Sequence, residues 1–460
     1  MTQLILLITL VISLLISPYL QAKNVILFLG DGMGVSTITA ARIFAGQQKG
    51  QTGEEYELSF DKFRNVALIK TYNTDAQVAD SAGTISAIVT GTKTRMGVLS
   101  VAPQVARGDC AAALDHELPT LLEMAEQAGM ASGLVSTARI THATPAGTYA
   151  HAPDRDWEDS SNLSGAVKAL GCRDIATQLV EFPFGDGVDV ILGGGRAQFL
   201  PATAIDPEYP DKTGRRDDNK NLIQQWLAGQ STRRYAWNSA GFNTFEVAKG
   251  AQFMALFEPS HLQFEADRAN DAGGEPSLAQ MTAFAIKQLQ TNDKGYFLLV
   301  EAGRIDHAHH FSNAYRALTD TVALDEAVDV ALDLIDLDDT LVMVTADHSH
   351  TLTISGYPPR GNPILGKVPE ALLAFANPQR VQYTTLSYAN GPGYKDEYPD
   401  LSDVDTTDPG YQQLGTVPLP IETHAGEDVA AFATGKNADA VFGVMEQNKL
   451  FNVLRAALFD

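Results

Sequence analysis

Short apolar runs alternate with longer amphipathic stretches along most of this 460-residue chain. Each short run has the length of one strand and is mainly apolar and rich in β-branched residues, which is typical of strands buried in a parallel sheet. Stretches 117–129, 278–290 and 314–334 have the spacing of helices. The alternation predicts an α/β fold in which helices cover both faces of a mostly parallel sheet, a three-layer sandwich. The predicted strands are NVILFLG, VALIK, SGLVST, VDVILGGG, YFLLVE and TLVMVTA.

Residues 356–423 interrupt this alternation. The segment is rich in Gly, Pro, Tyr and Asp, as in GYPPRGNP and YANGPGYKDEYPD, and we interpret it as an irregular insertion. The regular pattern resumes at THAGEDVAAFATG, and we find no internal repeat or low-complexity linker. We therefore predict one α/β core, residues 23–355 and 424–460, rather than two independent domains.

The first 22 residues form a separate element. Their 14-residue apolar run, LILLITLVISLLIS, has the length of a signal-peptide core and is short for a membrane span. No Lys or Arg precedes the run, so an uncleaved membrane anchor is the alternative. We predict a signal peptide, cut after Ala22, and hence an exported protein, periplasmic or extracellular.

The chain is strongly acidic, with a formal net charge of −23. Residues 1–22 contain no charged side chain, so their removal leaves this charge unchanged. A protein of this charge is a poor candidate for nonspecific binding of nucleic acid. An anionic substrate would need fixed local cations to overcome the overall field.

Cys110 and Cys172 are the two cysteines of the chain. They lack the CxxC spacing of a thiolate metal site. In an exported protein we expect a single disulfide between them, with two unpaired thiols as the alternative.

Metal-ligating side chains follow four of the predicted strands. Functional groups collect beyond the carboxyl ends of parallel strands, so these side chains are expected to lie close together. On a helix, Asp306 and His310 would share one face, where carboxylate and imidazole favour zinc; carboxylate with hydroxyl oxygen favours magnesium. Each residue alone could be a cap or a solvated polar group, but their clustering predicts a metal site. The candidates are Asp31, His142, Thr144, Glu301, Asp306, His307, His309, His310, Asp347, His348, His350 and His424.

The stretch QVADSAGTISAIVTG places Asp80 and Ser81 just before a helix-compatible run. A serine hydroxyl is a weak nucleophile that needs a neighbouring base or a metal ion. The flanks are not Gly-x-Ser-x-Gly, which excludes the nucleophile elbow of the α/β-hydrolases. On this stretch alone, a helix cap is the simpler interpretation.

Six motifs resemble those of the alkaline phosphatases, in the order of that family. They extend over nearly the whole chain after residue 24. The residues in these motifs resemble those of the animal, tissue-type enzymes more than those of the enterobacterial form. The enterobacterial form has Asp and Lys at the positions of His142 and His307. The resemblance implies the family's α/β/α fold, with residues 356–423 as its crown insertion. The motifs are FLGDGMG, ADSAG, THATPAGTYAH, VEAGRIDHAHH, VTADHSH and ETHAGEDVA.

The resemblance implies two zinc ions and one magnesium ion per chain. The ligands of the first zinc would be Asp306, His310 and His424. The ligands of the second zinc would be Asp31, Asp347, His348 and Ser81. The ligands of magnesium would be Asp31, Thr144 and Glu301, with His142 and His307 in the surrounding shell.

The resemblance also implies the chemistry of Ser81. Zinc lowers the pKa of a bound hydroxyl, so Ser81 would need no histidine base and would become phosphorylated. Arg155 would clamp the phosphate with two donors, and Asp80 would orient Ser81 and Arg155. The implied activity is hydrolysis of small phosphate monoesters, with an optimum at alkaline pH.

Three other functions are alternatives to this activity. A phosphodiesterase or nucleotide pyrophosphatase of the same superfamily would lack Glu301 and Arg155 in these roles. A sulfatase would need Cys/Ser-x-Pro-x-Arg, which neither cysteine begins. A noncatalytic phosphate- or metal-binding protein would not need Ser81 together with the whole ligand set.

A calcium site is a further implication of the resemblance to the animal enzymes. Carboxylates and a backbone carbonyl suit calcium, and solvated surface acids are the alternative. Glu275 stands where those enzymes have Asp. Its side chain is longer, so the distance from its carboxylate to the ion would differ. The expected ligands are Glu208, Glu258, Glu275 and the carbonyl of Phe257.

A homodimer is also implied, with Tyr357 reaching across to the partner subunit. The core begins at Asn24, without the helical arm of the animal enzymes. No hydrophobic tail for a lipid anchor precedes Asp460, so we expect the mature protein to be free of the membrane. The resemblance supports the Cys110–Cys172 disulfide as well.

Overall fold

The computed structural model describes residues 23–369 and 382–460. The expected signal peptide, residues 1–22, lies outside the described residues, as does part of the expected insertion. The strands are β1 (Lys23–Gly30), β2 (Asn65–Lys70), β3 (Ala131–Arg139), β4 (Val190–Gly194), β5 (Arg233–Ala236), β6 (Gln252–Leu256), β7 (Gly295–Ala302), β8 (Thr340–Ala346), β9 (Ser349–His350), β10 (Leu352–Ile354), β11 (Leu386–Gly391), β12 (Gly415–Pro418), β13 (His424–Ala425), β14 (Val429–Gly435) and β15 (Gly443–Glu446).

Ten of these strands form one sheet, in the order β15-β2-β14-β8-β1-β7-β3-β4-β6-β5. Strand β14 is antiparallel to both neighbours, β8 and β2, and the other adjacent pairs are parallel. The central strands β1, β7 and β8 are buried almost end to end, as strands covered on both faces must be. The predicted, mostly parallel sheet is confirmed, and all six predicted strands belong to it.

Helices flank the sheet, which makes the predicted three-layer α/β/α sandwich. In the described chain the α-helices are α1 (Val35–Gln48), α2 (Ser81–Thr90), α3 (Cys110–Leu114), α4 (Leu121–Gln127), α5 (Ala143–Ala146), α6 (Gly165–Leu170), α7 (Ile175–Val180), α8 (Arg196–Phe199), α9 (Leu222–Gly229), α10 (Ser239–Phe242), α11 (Leu278–Leu289), α12 (Arg304–His310), α13 (Ala314–Leu334) and α14 (Leu450–Phe459).

The three predicted helices are present as α4, α11 and α13, and local capping explains their bounds. Helix α4 begins at residue 121 rather than 117, because Thr120 and Glu123 form a reciprocal capping box. Ser277 and Gln280 form the same motif at the start of α11. Helix α13 begins after Asn313, whose side chain accepts a hydrogen bond from the backbone N–H of Arg316.

The expected insertion contributes most of a small, separate sheet. Strands β10, β11 and β12 form this three-stranded sheet, in that order. Strand β10 lies just before the expected start of the insertion at residue 356, so the small sheet joins the insertion to the core. A second pair, β9 with β13, joins the turn that follows β8 to the first residues after the expected insertion.

No helix in the described ranges is long and apolar enough to cross a membrane.

Cys110 and Cys172 form the expected disulfide. Trp157 and Leu163 pack beside it in a small apolar cluster. The bond closes a loop with a sequence separation of 62, so the chain-entropy relation gives a contribution of about 4 kcal/mol to stability.

We expect the double variant Cys110→Ser/Cys172→Ser to lose about 4 kcal/mol of unfolding free energy, since its unfolded chain is no longer cross-linked. Denaturant unfolding of the two proteins, both free of reductant, would measure the difference. A loss below about 1 kcal/mol would contradict the expectation.

Candidate metal centre

The predicted ligands meet at one edge of the sheet. Strands β8, β1, β7 and β3 are neighbours and parallel, so their carboxyl ends lie side by side. Asp31 follows β1, Glu301 is near the end of β7, and Asp347 follows β8. His142 follows β3 after a short turn. The topology thus brings together residues that are far apart in the sequence, since 315 positions separate Gly32 from Asp347, whose carboxylate its backbone N–H contacts.

Ser81 is the first residue of α2 and is almost completely buried, with 2% of its surface exposed. Its Oγ lies 3.2 Å from Nε2 of His348 and 3.5 Å from Oδ1 of Asp31. The helix cap is Asp80, whose side chain accepts from the backbone N–H of Gly83. Asp80 is therefore the residue that caps the helix, and the hydroxyl of Ser81 points at two of the candidate ligands instead.

Asp80 also holds the side chain of Arg155 in place. Its Oδ2 accepts from Arg155 Nη1 at 3.0 Å and from the backbone N–H of Gly97 at 3.0 Å. Burial raises the pKa of Asp80, but Arg155 and the two backbone donors outweigh it, so the net pKa is lowered. The carboxylate therefore remains charged and fixes the guanidinium. Arg155 Nη2 donates to His142 Nε2 at 3.2 Å.

Asp31, Asp347 and His348 form one group of potential metal ligands. Their ligand atoms lie within 4.8 Å of one another, and all three residues are buried. The backbone N–H groups of Gly32 and His348 both donate to Oδ1 of Asp347, which leaves Oδ2 facing His348 Nε2 at 3.2 Å. Burial lowers the pKa of His348 well below its usual value, so its imidazole is neutral, as a metal ligand must be.

Asp306, His310 and His424 form a second group. Asp306 and His310 share one face of α12, with Oδ2 and Nε2 3.3 Å apart. Oδ1 of Asp306 lies 3.3 Å from His424 Nε2. Backbone carbonyls accept from Nδ1 of both histidines, that of Glu422 from His310 at 2.6 Å and that of Ala79 from His424 at 2.8 Å. These bonds place the proton on Nδ1, so both Nε2 lone pairs face the aspartate.

The third group supplies oxygen. Three buried side-chain oxygens lack a hydrogen-bond partner in the described chain: Oδ2 of Asp31, Oγ1 of Thr144 and Oε1 of Glu301. The other Glu301 oxygen accepts from Ser136 Oγ. A buried polar oxygen without a partner is costly, and oxygen-only donor sets suit magnesium. The side chains at this point thus fit a hard divalent cation.

Charge supports the same conclusion. Four carboxylates share the buried site, those of Asp31, Glu301, Asp306 and Asp347. Burial and repulsion from its acidic neighbours raise the pKa of Asp31 well above the ordinary value. Burial likewise raises the pKa of Glu301 to about 7 and that of Asp347 above its usual range. Bound cations would remove this repulsion.

Three histidines lie together beside this oxygen group, and one of them, His142, has a ring nitrogen within 4.8 Å of carboxylate oxygens of Asp31 and Glu301. His142 and His307, the expected outer-shell pair, have ring centroids 5.4 Å apart. His261 packs against both, at 5.3 and 4.1 Å. Our sequence analysis did not identify His261, which is distant in the chain and has no motif around it.

Two further residues lie closer to the ligand groups than the sequence indicated. His350 was one candidate among many, and Glu422 was not singled out at all. His350 Nε2 lies 2.6 Å from Asp306 Oδ1, and its Nδ1 lies 2.5 Å from Glu422 Oε2. Both residues are buried. Glu422 belongs to the motif ETHAGEDVA, which was the available signal.

The expected calcium ligands are only partly brought together. Glu208 and Glu258 are grouped with Asp271, and Glu275 is not a member of that group. Both carboxylate oxygens of Glu275 accept from the backbone N–H of Gln263. The carbonyl of Phe257 accepts from the buried Arg196 at 2.9 Å. Asp271, by contrast, has two buried oxygens without a partner in the described chain.

Comparison with known proteins gives a consistent result. The family model described as alkaline phosphatase matches residues 22–459. The tissue-nonspecific alkaline phosphatase of Gallus gallus is 46% identical over 438 residues, which cover 93% of this chain and 82% of the relative. The alkaline phosphatase of Gadus morhua is 43% identical, covering 93% and 90%. The human tissue-nonspecific isozyme is 43% identical over 445 residues, covering 95% and 83%.

Solved structures show the same fold. The alkaline phosphatase of Thermus thermophilus has a TM-score of 0.66 at 24% identity and covers 95% of this chain and 91% of its own. The enzyme of the Antarctic bacterium TAB5 has a TM-score of 0.63 at 22% identity, covering 95% and 98%. Together with the geometry of the buried site, these matches show that the chain belongs to the alkaline phosphatase family, which consists of metal-dependent phosphomonoesterases.

Proposed function

We propose that Ser81 is the nucleophile of this phosphomonoesterase. The observation that carries the proposal is the position of its Oγ, which lies against His348 Nε2 and Asp31 Oδ1 at the start of α2. In the first step Ser81 Oγ bonds to phosphorus, and the alcohol leaves with a proton. In the second step water bonds to phosphorus, the Oγ–P bond breaks, and Ser81 regains its proton as inorganic phosphate departs.

Three cations are proposed for the ligand groups. The first zinc would be held by Asp306, His310 and His424. The second would be held by Asp31, Asp347, His348 and Ser81. Magnesium would be held by Asp31, Thr144 and Glu301. When bound, the zinc ions would lower the pKa of the Ser81 hydroxyl and offset the charge that builds up on the phosphoryl oxygens, which suits an optimum at alkaline pH.

Arg155 is proposed to bind the phosphoryl oxygens. Its guanidinium is anchored by Asp80 on one side and faces His142 on the other. Because a guanidinium presents a planar fork of donors, it can give two parallel hydrogen bonds to a phosphate. This local cation supplies the attraction that an anionic substrate needs in a chain with a net charge of −23.

A comparison of substrates tests the activity. We expect a chromogenic phosphate monoester to be hydrolysed with a kcat/KM at least about 10³-fold higher than the matching diester or sulfate ester. The monoester dianion carries two negative charges for Arg155 and the cations to bind, and the diester and the sulfate ester each carry one. A preference for the diester would favour the phosphodiesterase alternative. Binding of phosphate without turnover of any ester would favour a noncatalytic protein.

A calcium site is proposed at Glu208, Glu258 and Asp271. The support is the pair of unpartnered, buried oxygens of Asp271 beside two glutamates. Burial raises the pKa of Glu258 to about 7, so a cation there would relieve an unfavourable charge. In this proposal Asp271 takes the place that sequence analysis gave to Glu275.

Thermal unfolding with and without calcium tests this site. We expect calcium to stabilise the protein by about 2.7 kcal/mol at a free concentration of 100 times its dissociation constant. Asp271→Asn should abolish the response, and Glu275→Gln, the matched control, should keep it. If Glu275→Gln alone abolishes the response, the original ligand set is the correct one.

An exported homodimer is proposed for the mature protein. Alkaline phosphatases are generally dimeric, and the insertion carries exposed apolar side chains that a partner subunit could cover, namely those of Tyr357, Val417, Leu419 and Ile421. Export, to the periplasm or the exterior, is supported by the disulfide and by the character of residues 1–22.

A further inference from the structure

Glu422 is a fully buried carboxylate at the junction between the insertion and the core. It lies two residues before His424, outside every ligand group proposed above. Its Oε1 accepts from the backbone N–H of Thr351 at 2.7 Å and from the Thr351 hydroxyl at 2.5 Å. Its Oε2 faces Nδ1 of His350 at 2.5 Å. The carboxylate is therefore fixed in place by three contacts.

The contact with His350 extends to the first zinc group. The other nitrogen of His350, Nε2, lies 2.6 Å from Oδ1 of Asp306. His350 is thus held between two carboxylates, and neither Glu422 nor His350 is exposed. When both ring nitrogens donate, the imidazole fixes the orientation of Asp306. Residues that orient metal ligands in this way usually matter for metal affinity.

The backbone of Glu422 fixes a second member of the same group. Its carbonyl accepts from Nδ1 of His310 at 2.6 Å, and its N–H donates to the His310 carbonyl at 2.9 Å. One residue therefore sets the side chain of Asp306 through His350 and the ring of His310 directly. The strand pairing of β13 with β9 places His424 opposite His350 and completes the group.

The insertion packs directly behind Glu422. The Cβ that an alanine would add at Gly391, the last residue of β11, would lie 2.7 Å from Cβ of Glu422. Gly391 has a φ of 120°, a region that favours glycine. Next to it, Asn390 exchanges two hydrogen bonds of 2.9 Å with Thr423. The small sheet of the insertion thus holds Glu422 in position.

Glu422, His310 and His350 could themselves be regarded as a metal site, since their ligand atoms lie close together. Their hydrogen bonds argue against this. Both nitrogens of His350 face carboxylates, and Nδ1 of His310 faces a carbonyl. Only Nε2 of His310 is left, and it faces Asp306. The three residues support a ligand set and do not form one.

We infer that Glu422 is a positioning residue through which the insertion holds the ligands of the first zinc. The inference rests on the proposed function, because it presupposes zinc at Asp306, His310 and His424. It adds a residue outside the ligand set and gives the insertion a role in that half of the site.

Zinc affinity tests the inference without relying on activity. Purified wild type and Glu422→Gln, both loaded with zinc, would be titrated with a chromogenic zinc chelator. We expect one of the two zinc ions of the variant to be bound about 10-fold more weakly, because loss of a partner to a ligand typically costs 10- to 100-fold. The second zinc should keep its wild-type affinity. Thr351→Val, which removes one donor to the carboxylate, should show a smaller loss at the same ion.

Glu427→Gln is the matched control. Glu427 is an exposed glutamate of the same motif, and it accepts from Ser349 Oγ at 2.6 Å. Because Ser349 is not a proposed ligand, we expect the Glu427→Gln variant to bind both zinc ions as tightly as wild type does. Thermal unfolding of the metal-free proteins would show whether each variant folds. A folded Glu422→Gln with both affinities unchanged, or with both lowered equally, would overturn the inference. A wild-type protein that binds no zinc would overturn the proposed function instead.

Discussion

Ser81→Ala is expected to abolish the phosphoenzyme that acid quenching traps from wild type. The variant removes the only atom to which the phosphoryl group is proposed to bond, while Asp80 still caps the helix through Gly83. We expect kcat to fall by at least about 10³-fold, as loss of a nucleophile does in other enzymes. Mass spectrometry of the quenched protein would locate the phosphate, and steady-state assays would measure kcat.

Ser86→Ala is the matched control for this experiment. Ser86 is buried on the same helix, and its Oγ donates to Ala82 O at 2.7 Å and accepts from Ser100 N–H at 2.8 Å. Its loss should cost about 1–3 kcal/mol of stability through an unsatisfied donor. The phosphoenzyme should still form. An undiminished phosphoenzyme in Ser81→Ala would show that another residue is the nucleophile.

The sheet could be predicted from sequence because its central strands are buried on both faces. Such strands are apolar without interruption, and VILFL in β1 and FLLV in β7 stand out from any amphipathic helix. The strand order could not be predicted. Strand β14, which runs against its neighbours, follows the insertion and is inserted between β2 and β8. That position depends on contacts across about 370 residues, for which a single sequence has no local signal.

The site residues that could be predicted are those with metal-ligating side chains directly after a predicted strand. Asp31, Asp347 and His348 follow apolar strands, and the structure brings them together. Supporting residues leave no such pattern. Glu422 is inferred to act through its backbone and through a carboxylate that reaches Asp306 only by way of His350. Its position next to His350 depends on where the insertion folds back onto the core.

The calcium proposal shows a similar limit. Glu275 is the residue aligned by motif, yet its oxygens are both taken by the backbone of Gln263. Asp271, four residues earlier, has the oxygens that lack partners in the described chain. Alignment by motif gives the neighbourhood of a loop ligand, but backbone hydrogen bonds decide which of two nearby acids has oxygens free to bind a cation.

Removal of the metal ions should have the other large effect. Treatment with chelator is expected to lower kcat/KM by about 10³-fold or more, because bound ions contribute several kcal/mol of transition-state stabilisation. Zinc and magnesium together should restore activity, and magnesium alone should not, because the nitrogen donors of His310, His348 and His424 favour zinc. Full activity in protein that elemental analysis shows to be free of zinc would refute the two-zinc proposal.

Stability should respond to pH in the metal-free protein. Burial raises the pKa of Glu301 from 4.5 to about 7, and Asp31 shifts in the same direction. Between the unfolded and folded pKa values these two carboxylates bind more protons in the folded state than in the unfolded state, so their contribution to the unfolding free energy falls as pH rises from about 4.5 to 7. Bound cations stabilise the ionised carboxylates and should remove that fall. Denaturant unfolding at pH 5 and pH 8, with and without metals, would measure both slopes, and equal slopes would show that these carboxylates are not the ligands.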